Sequence, residues 1–174
     1  MIPAFLLFAF VLGSSIGSFV NVLIDRLPRG MSIFSNRSHC EVCKKELMPQ
    51  ELIPIISYLV LKGRCKNCKS KISIRILFVE LTHGLTYFLL FFLYVQGSLS
   101  IVELVYLLIL LPIFIGIFFV DFEFGIIPDE LVVAALIAVA AYLVFFSPNL
   151  IINHSVTGFL LFFFFFLIYR ITKT

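Results

Sequence analysis

The first 24 residues of the chain, Met1 to Ile24, contain no charged side chain. Wound as a helix rising 1.5 Å per residue, such a run is long enough to cross a hydrocarbon core of about 30 Å. Further apolar stretches lie at about Ile76 to Val95, Ile101 to Val120, Leu131 to Phe146 and Ile151 to Tyr169. Backbone that crosses lipid must satisfy its own N–H and C=O groups, so runs of this length read as helices. The expected fold class is an all-α polytopic membrane protein with about five transmembrane helices. Composition agrees: 61% of the residues are apolar and 13% charged, against about 45–50% and 25% in a soluble domain. Disorder, a secreted disulfide scaffold and a nucleic-acid-binding domain are all disfavoured by apolar runs of this length. The first run lacks the basic n-region and small-residue cleavage site of a signal peptide, so it is expected to remain attached.

The charges supply an orientation. Of 13 Lys and Arg residues, 11 fall between Arg26 and Arg75, and the other two are Arg170 and Lys173. Loops rich in Lys and Arg stay in the cytosol. The Arg26 to Arg75 loop is therefore expected inside and Met1 outside. Threading five spans from there places the Asp121 to Glu130 loop and the C-terminal pair inside as well. An even number of spans would put Arg170 and Lys173 on the wrong side.

The same loop holds all four cysteines, in CEVC (Cys40 to Cys43) and CKNC (Cys65 to Cys68), 21 residues apart. Paired C-x2-C knuckles let four thiolates converge on one zinc ion, and Lys44, Lys45, Arg64, Lys66 and Lys69 offset the charge of such a site. A thiol oxidoreductase with two redox pairs is the competing reading, disfavoured in a reducing cytosol. His39 is expected to be a bystander. Between the knuckles, Leu52 to Leu61 is too short to span; it either lies on the membrane surface or packs inside a small zinc-stapled core. The expected organisation is a first span over 1–24, a cytosolic four-cysteine subdomain over 25–75 resting against the bilayer, and a membrane part over 76–174.

The segment DFEFGIIPDE carries four acids, Asp121, Glu123, Asp129 and Glu130, and no base. Acids commonly end a span, Gly125 gives a tight turn, and Pro128-Asp129 can start a helix. The functional reading notes that Asp121 stands at the mouth of an apolar span containing Pro112 and Gly116, where a carboxylate can take part in acid/base chemistry. Hydrolysis by paired carboxylates, one activating water and the other polarising a carbonyl, is the chemistry that fits.

Together, GSSIGSFVNVLIDRLPRG (Gly13 to Gly30), the two C-x2-C pairs, IPIISYLVLKGRCKNC, ISIRILFVEL (Ile72 to Leu81) and DFEFGIIPDEL, in this order, resemble the prepilin peptidases. These are membrane aspartic proteases of the Gly-x-Gly-Asp type. The resemblance implies an inner-membrane enzyme that cleaves the basic leader of type IV prepilins and pseudopilins, substrates of pilus assembly and type II secretion, just after a glycine. Many members then methylate the new amine with S-adenosylmethionine. It implies that Asp121 is the first catalytic aspartate, that Asp129 is the acid of the family's Pro-Asp pair, and that Cys40, Cys43, Cys65 and Cys68 hold structural zinc. No Gly-x-Gly-Asp occurs in the 174 residues, so the expectation is an incomplete peptidase, with a non-catalytic zinc-stapled scaffold of the same family as the alternative. Gly13 and Gly17 form a small-xxx-small packing face. Asn21 is expected either to bond a neighbouring helix or to face headgroups, and Glu80 with His83 to form an intrahelical pair. The Phe162 to Phe166 run is expected to face lipid.

Overall fold

The structure is a computed structural model that describes residues 2–33, 37–152 and 156–158. Among the described residues, four helices are long and apolar enough to cross a membrane: α1 (Ile2–Arg26), α3 (Ile74–Val95), α4 (Ile101–Phe124) and α5 (Asp129–Phe146). A short helix, α2 (Ile56–Val60), lies in the cysteine-bearing loop, with 3₁₀ turns at Leu27–Arg29, Pro49–Leu52 and Pro148–Leu150. The described residues form no strand; two isolated bridges, His39 with Glu46 and Arg64 with Lys71, close the cysteine knuckles. The chain is a helical membrane protein. The expected fifth span lies for the most part outside the described residues, as does the Phe162 to Phe166 run.

Residues up to Ala135 form one compact unit. Its centre is the contact of α1 with α3, and the glycines explain it. A Cβ on Gly17 would stand 2.9 Å from the Glu80 Cα and 3.0 Å from the Val79 carbonyl, and one on Gly84 would meet the Ser14 hydroxyl. Close approach of backbones through small residues is how helices associate in lipid, where the hydrophobic effect gives no net drive. Val20, Ile24, Val79 and Val120 bury themselves where α1, α3 and α4 meet. Asn21 serves as an interhelical partner, its amide donating to the Ile76 carbonyl at 3.1 Å. Glu80 and His83 do not pair with each other. The Glu80 carboxylate accepts the Ile55 N–H at 2.6 Å, and the His83 ring bonds the Val79 carbonyl one turn back at 2.7 Å.

Pro112 lies inside α4 and has no N–H, so it leaves the Leu108 carbonyl without its helical donor. The Tyr87 hydroxyl of α3 donates to that carbonyl at 2.7 Å. Tyr87→Phe is therefore expected to cost about 1 kcal/mol of stability, read from unfolding in mixed micelles. At the start of α4, the Ser100 hydroxyl accepts the Glu103 N–H at 3.3 Å and the Glu103 carboxylate accepts the Ser100 N–H at 2.8 Å. This reciprocal cap fixes where α4 begins. The first turns of α5 are held by buried Leu131 and Ala135. The remainder of α5, with the turn after it, belongs to a second unit, 136–174.

Candidate functional site

The two cysteine knuckles are built alike. In the first, the Cys40 N–H donates to the Lys45 carbonyl (2.9 Å) and the Lys44 N–H returns to the Cys40 carbonyl (2.8 Å). In the second, the Cys65 N–H donates to the Ser70 carbonyl (2.8 Å) and the Lys69 N–H returns to Cys65 (3.0 Å). Lys44 and Lys69 both take left-handed backbone, at φ 57° and 60°. That conformation costs a side-chain-bearing residue about 1–2 kcal/mol. Its recurrence at the same step shows that each turn must be this tight to aim its sulfurs inward.

The sulfurs of Cys40, Cys43, Cys65 and Cys68 all lie within 4.8 Å of one another, and those of Cys40 and Cys68 are 3.8 Å apart. Four ligands about 2.3 Å from a tetrahedral ion stand about 3.8 Å from each other, so the set can hold a metal. All four are free thiols. The Asn67 amide donates to the Cys43 sulfur at 3.7 Å, and the Ser70 hydroxyl lies 3.1 Å from Cys68 and 3.6 Å from Cys40. Such donors orient and stabilise thiolates. The Cys43 backbone N–H, and then Ser70, hold the Cys40 thiol down at about 6. Ser70 likewise lowers Cys68. Cys65 moves the other way: although the Cys68 backbone favours its thiolate, burial and the sulfurs of Cys40 and Cys68 oppose it. Holding all four as thiolates at this separation would take a cation between them. His39 stands apart from the set, its ring 3.2 Å from the Arg37 carbonyl.

Asp121 lies on the last turn of α4. Its carbonyl accepts the Gly125 N–H at 2.8 Å, and Gly125, at φ 65°, ends the helix. The expected Asp121 to Glu130 loop is thus much shorter, because helix continues through Phe124 and resumes at Asp129, leaving only residues 125–128 between. Asp121 is exposed and not recessed in the span mouth, and Asp129 and Glu130 are exposed on the first turn of α5. Among the described residues, no hydrogen bond or ion pair joins the Asp121 and Asp129 carboxylates.

A three-helix clasp lies beside Asp121. Arg75, in the first turn of α3, donates to Asp25 of α1 at 2.6 Å and to Glu123 of α4 at 2.8 Å. Sequence reasoning missed it, although a signal was present: a cation in the first turn of an apolar helix opposes the helix dipole and needs partners. Arg75→Leu is expected to cost about 2 kcal/mol, below the roughly 3–5 of a fully buried pair, because Asp25 and Glu123 are 34% and 40% exposed. Arg75→Lys is expected to restore only part of this, since an ammonium lacks the planar fork. Unfolding of both variants in mixed micelles measures it.

Residues 11–94, which contain both knuckles, Arg75 and Glu80, match the family model of the bacterial peptidase A24 N-terminal domain. A prepilin leader peptidase/N-methyltransferase of Myxococcus xanthus is 39% identical over 136 residues, covering 78% of this chain and 39% of the relative. Its namesake in Vibrio cholerae is 33% identical over 151 residues, covering 82% and 58%. The chain belongs to the prepilin peptidase family. A third member, from Neisseria gonorrhoeae, is 31% identical over 147 residues, covering 71% and 50%. The chain thus spans between about two-fifths and three-fifths of the length of these prepilin peptidases. No solved structure matches it.

Proposed function

We propose that this chain acts in prepilin leader cleavage at the cytosolic face of the inner membrane, with Asp121 as one catalytic carboxylate and Cys40, Cys43, Cys65 and Cys68 holding a structural zinc ion. The observation that carries the reading is the 39% identity to a prepilin leader peptidase/N-methyltransferase over 136 residues. The Lys and Arg excess of the cysteine loop supports a cytosolic loop, and with it a cytosolic Asp121, and an outside N-terminus. In the mechanism, ionised Asp121 takes a proton from water as it attacks the peptide carbonyl after the leader glycine, and a second, protonated carboxyl polarises that carbonyl. Asp25 is held by Arg75, and Asp129 makes no pair with Asp121 among the described residues. The second acid is therefore assigned to a Gly-x-Gly-Asp segment, which the 174 residues do not contain. Methylation of the freed amine, with S-adenosylmethionine as donor, goes with the relatives' names. A zinc-stapled scaffold that binds the same substrates without cleaving them is the second reading, favoured by Asp121 having no paired acid among the described residues.

The basic leader would meet the exposed acids Asp121, Asp129 and Glu130. A synthetic prepilin is therefore expected to bind the chain in nanodiscs, more weakly as salt rises. Neutralising all three, with Asp121→Asn, Asp129→Asn and Glu130→Gln, is expected to weaken binding about ten-fold. Unchanged affinity would contradict this placement of the substrate.

Purified chain is expected to carry about one zinc per polypeptide, and Cys43→Ser to lose it together with protease resistance of the cysteine loop. Reversible disulfides without zinc would instead support thiol redox chemistry.

A further inference from the structure

The apolar part of the cysteine loop is not packed inside a zinc-stapled core. Ile56, Leu59 and Val60 of α2 are 58%, 60% and 73% exposed, and the neighbouring Ile53 is exposed too. Residue 55 shows where this face sits. Its N–H donates to the Glu80 carboxylate at 2.6 Å, and Glu80 is buried well inside α3. Arg75, with Asp25 and Glu123, marks the charged end of the helix bundle. Glu80 lies five residues further along α3, which is about 7.5 Å deeper along the axis. Backbone at that depth must have its N–H bonded, because no water is available to take it. Ile55 is also strained: a β-branched residue at φ 63° and ψ −53°, a conformation that persists only where the surroundings impose it.

We infer that residues 53–60 form a re-entrant foot that dips into the acyl chains of the same leaflet, with Glu80 as its anchor and phospholipid as its partner. The depth matches the roughly 5–10 Å that interfacial helices reach below the headgroups. Lys62 and Arg64, exposed just after α2, then stand at the level of the phosphates, where cations are favoured by anionic lipid. The carboxylate that accepts the Ile55 N–H supplies the bond the foot would otherwise lack in lipid. The foot thereby ties the zinc knuckles to the bilayer surface beside the helix ends.

The chain has no Trp, so a single introduced indole reports depth without interference. In proteoliposomes of phosphatidylglycerol and phosphatidylcholine brominated on the acyl chain, the Leu59→Trp variant is expected to lose most of its emission and to resist aqueous iodide. A Glu46→Trp variant, on the exposed side of the first knuckle, is expected to show the reverse. Adding Glu80→Gln, which keeps an acceptor for the Ile55 N–H, leaves the Leu59→Trp result unchanged. Adding Glu80→Leu turns the indole towards iodide while zinc content and helicity hold. Quenching of the Leu59→Trp variant by iodide would overturn the inference and leave the face in water. Shielding from both quenchers would overturn it in favour of a covering protein, including a second copy of the chain.

Discussion

Gly13→Leu is expected to drive α1 away from α3 and cost about 3 kcal/mol or more of stability. Any Cβ at this position collides with the His83 carbonyl and stands 2.7 Å from the Tyr87 Cβ. Neither neighbour is the free end of a flexible chain. The carbonyl is helical backbone, and Tyr87 is fixed at its far end by the bond to Leu108. Relief therefore requires moving a whole helix. Separation there would also lengthen the Asn21 bond to Ile76 and open the Val20–Val79 contact, so several terms are lost together. Gly158, with nothing among the described residues within 4 Å of its Cβ position, gives the control: Gly158→Ala is expected to be nearly neutral. Steric trapping or detergent-driven unfolding of the two variants measures the difference.

How far the sequence alone reaches is clear from particular residues. The spans follow from apolar runs long enough for the bilayer. Gly13 and Gly17 announce a close helix contact because small residues four apart have few other uses in lipid. The four cysteines are visible as one set because C-x2-C spacing brings two sulfurs to one side of a turn. Partner choice is what sequence hides. Glu80 sits three residues from His83 on one helix, yet it bonds a backbone N–H 25 residues away. Only the path of the loop, with its left-handed step at Ile55, brings the two together. Arg75 is likewise separated from Asp25 by 50 residues and from Glu123 by 48, and no local pattern selects those two carboxylates from the ten acids in the chain. The extension of α4 beyond Val120 was hidden for another reason. Asp121 and Glu123 break the apolar pattern, but the helix continues until Gly125 supplies the left-handed cap.

Asp121→Asn is expected to abolish leader cleavage, by a factor of about a thousand or more. An amide at that position cannot take the proton from the attacking water, whereas its size and its place on the last turn of α4 are preserved. Stability should hardly change, because the exposed carboxylate caps nothing among the described residues and the backbone bond to Gly125 does not use it. An effect on rate without one on unfolding distinguishes a catalytic group from a structural one. The 174 residues contain three aspartates, and the other two are the clasped Asp25 and Asp129 of α5. The most direct measurement is the rate of leader release from a synthetic prepilin by residues 1–174 joined in frame to a Gly-x-Gly-Asp-bearing segment of a family member, in proteoliposomes, with and without Asp121→Asn. The account predicts cleavage after the leader glycine that disappears in the Asp121→Asn variant; cleavage that proceeds equally well in both would contradict it.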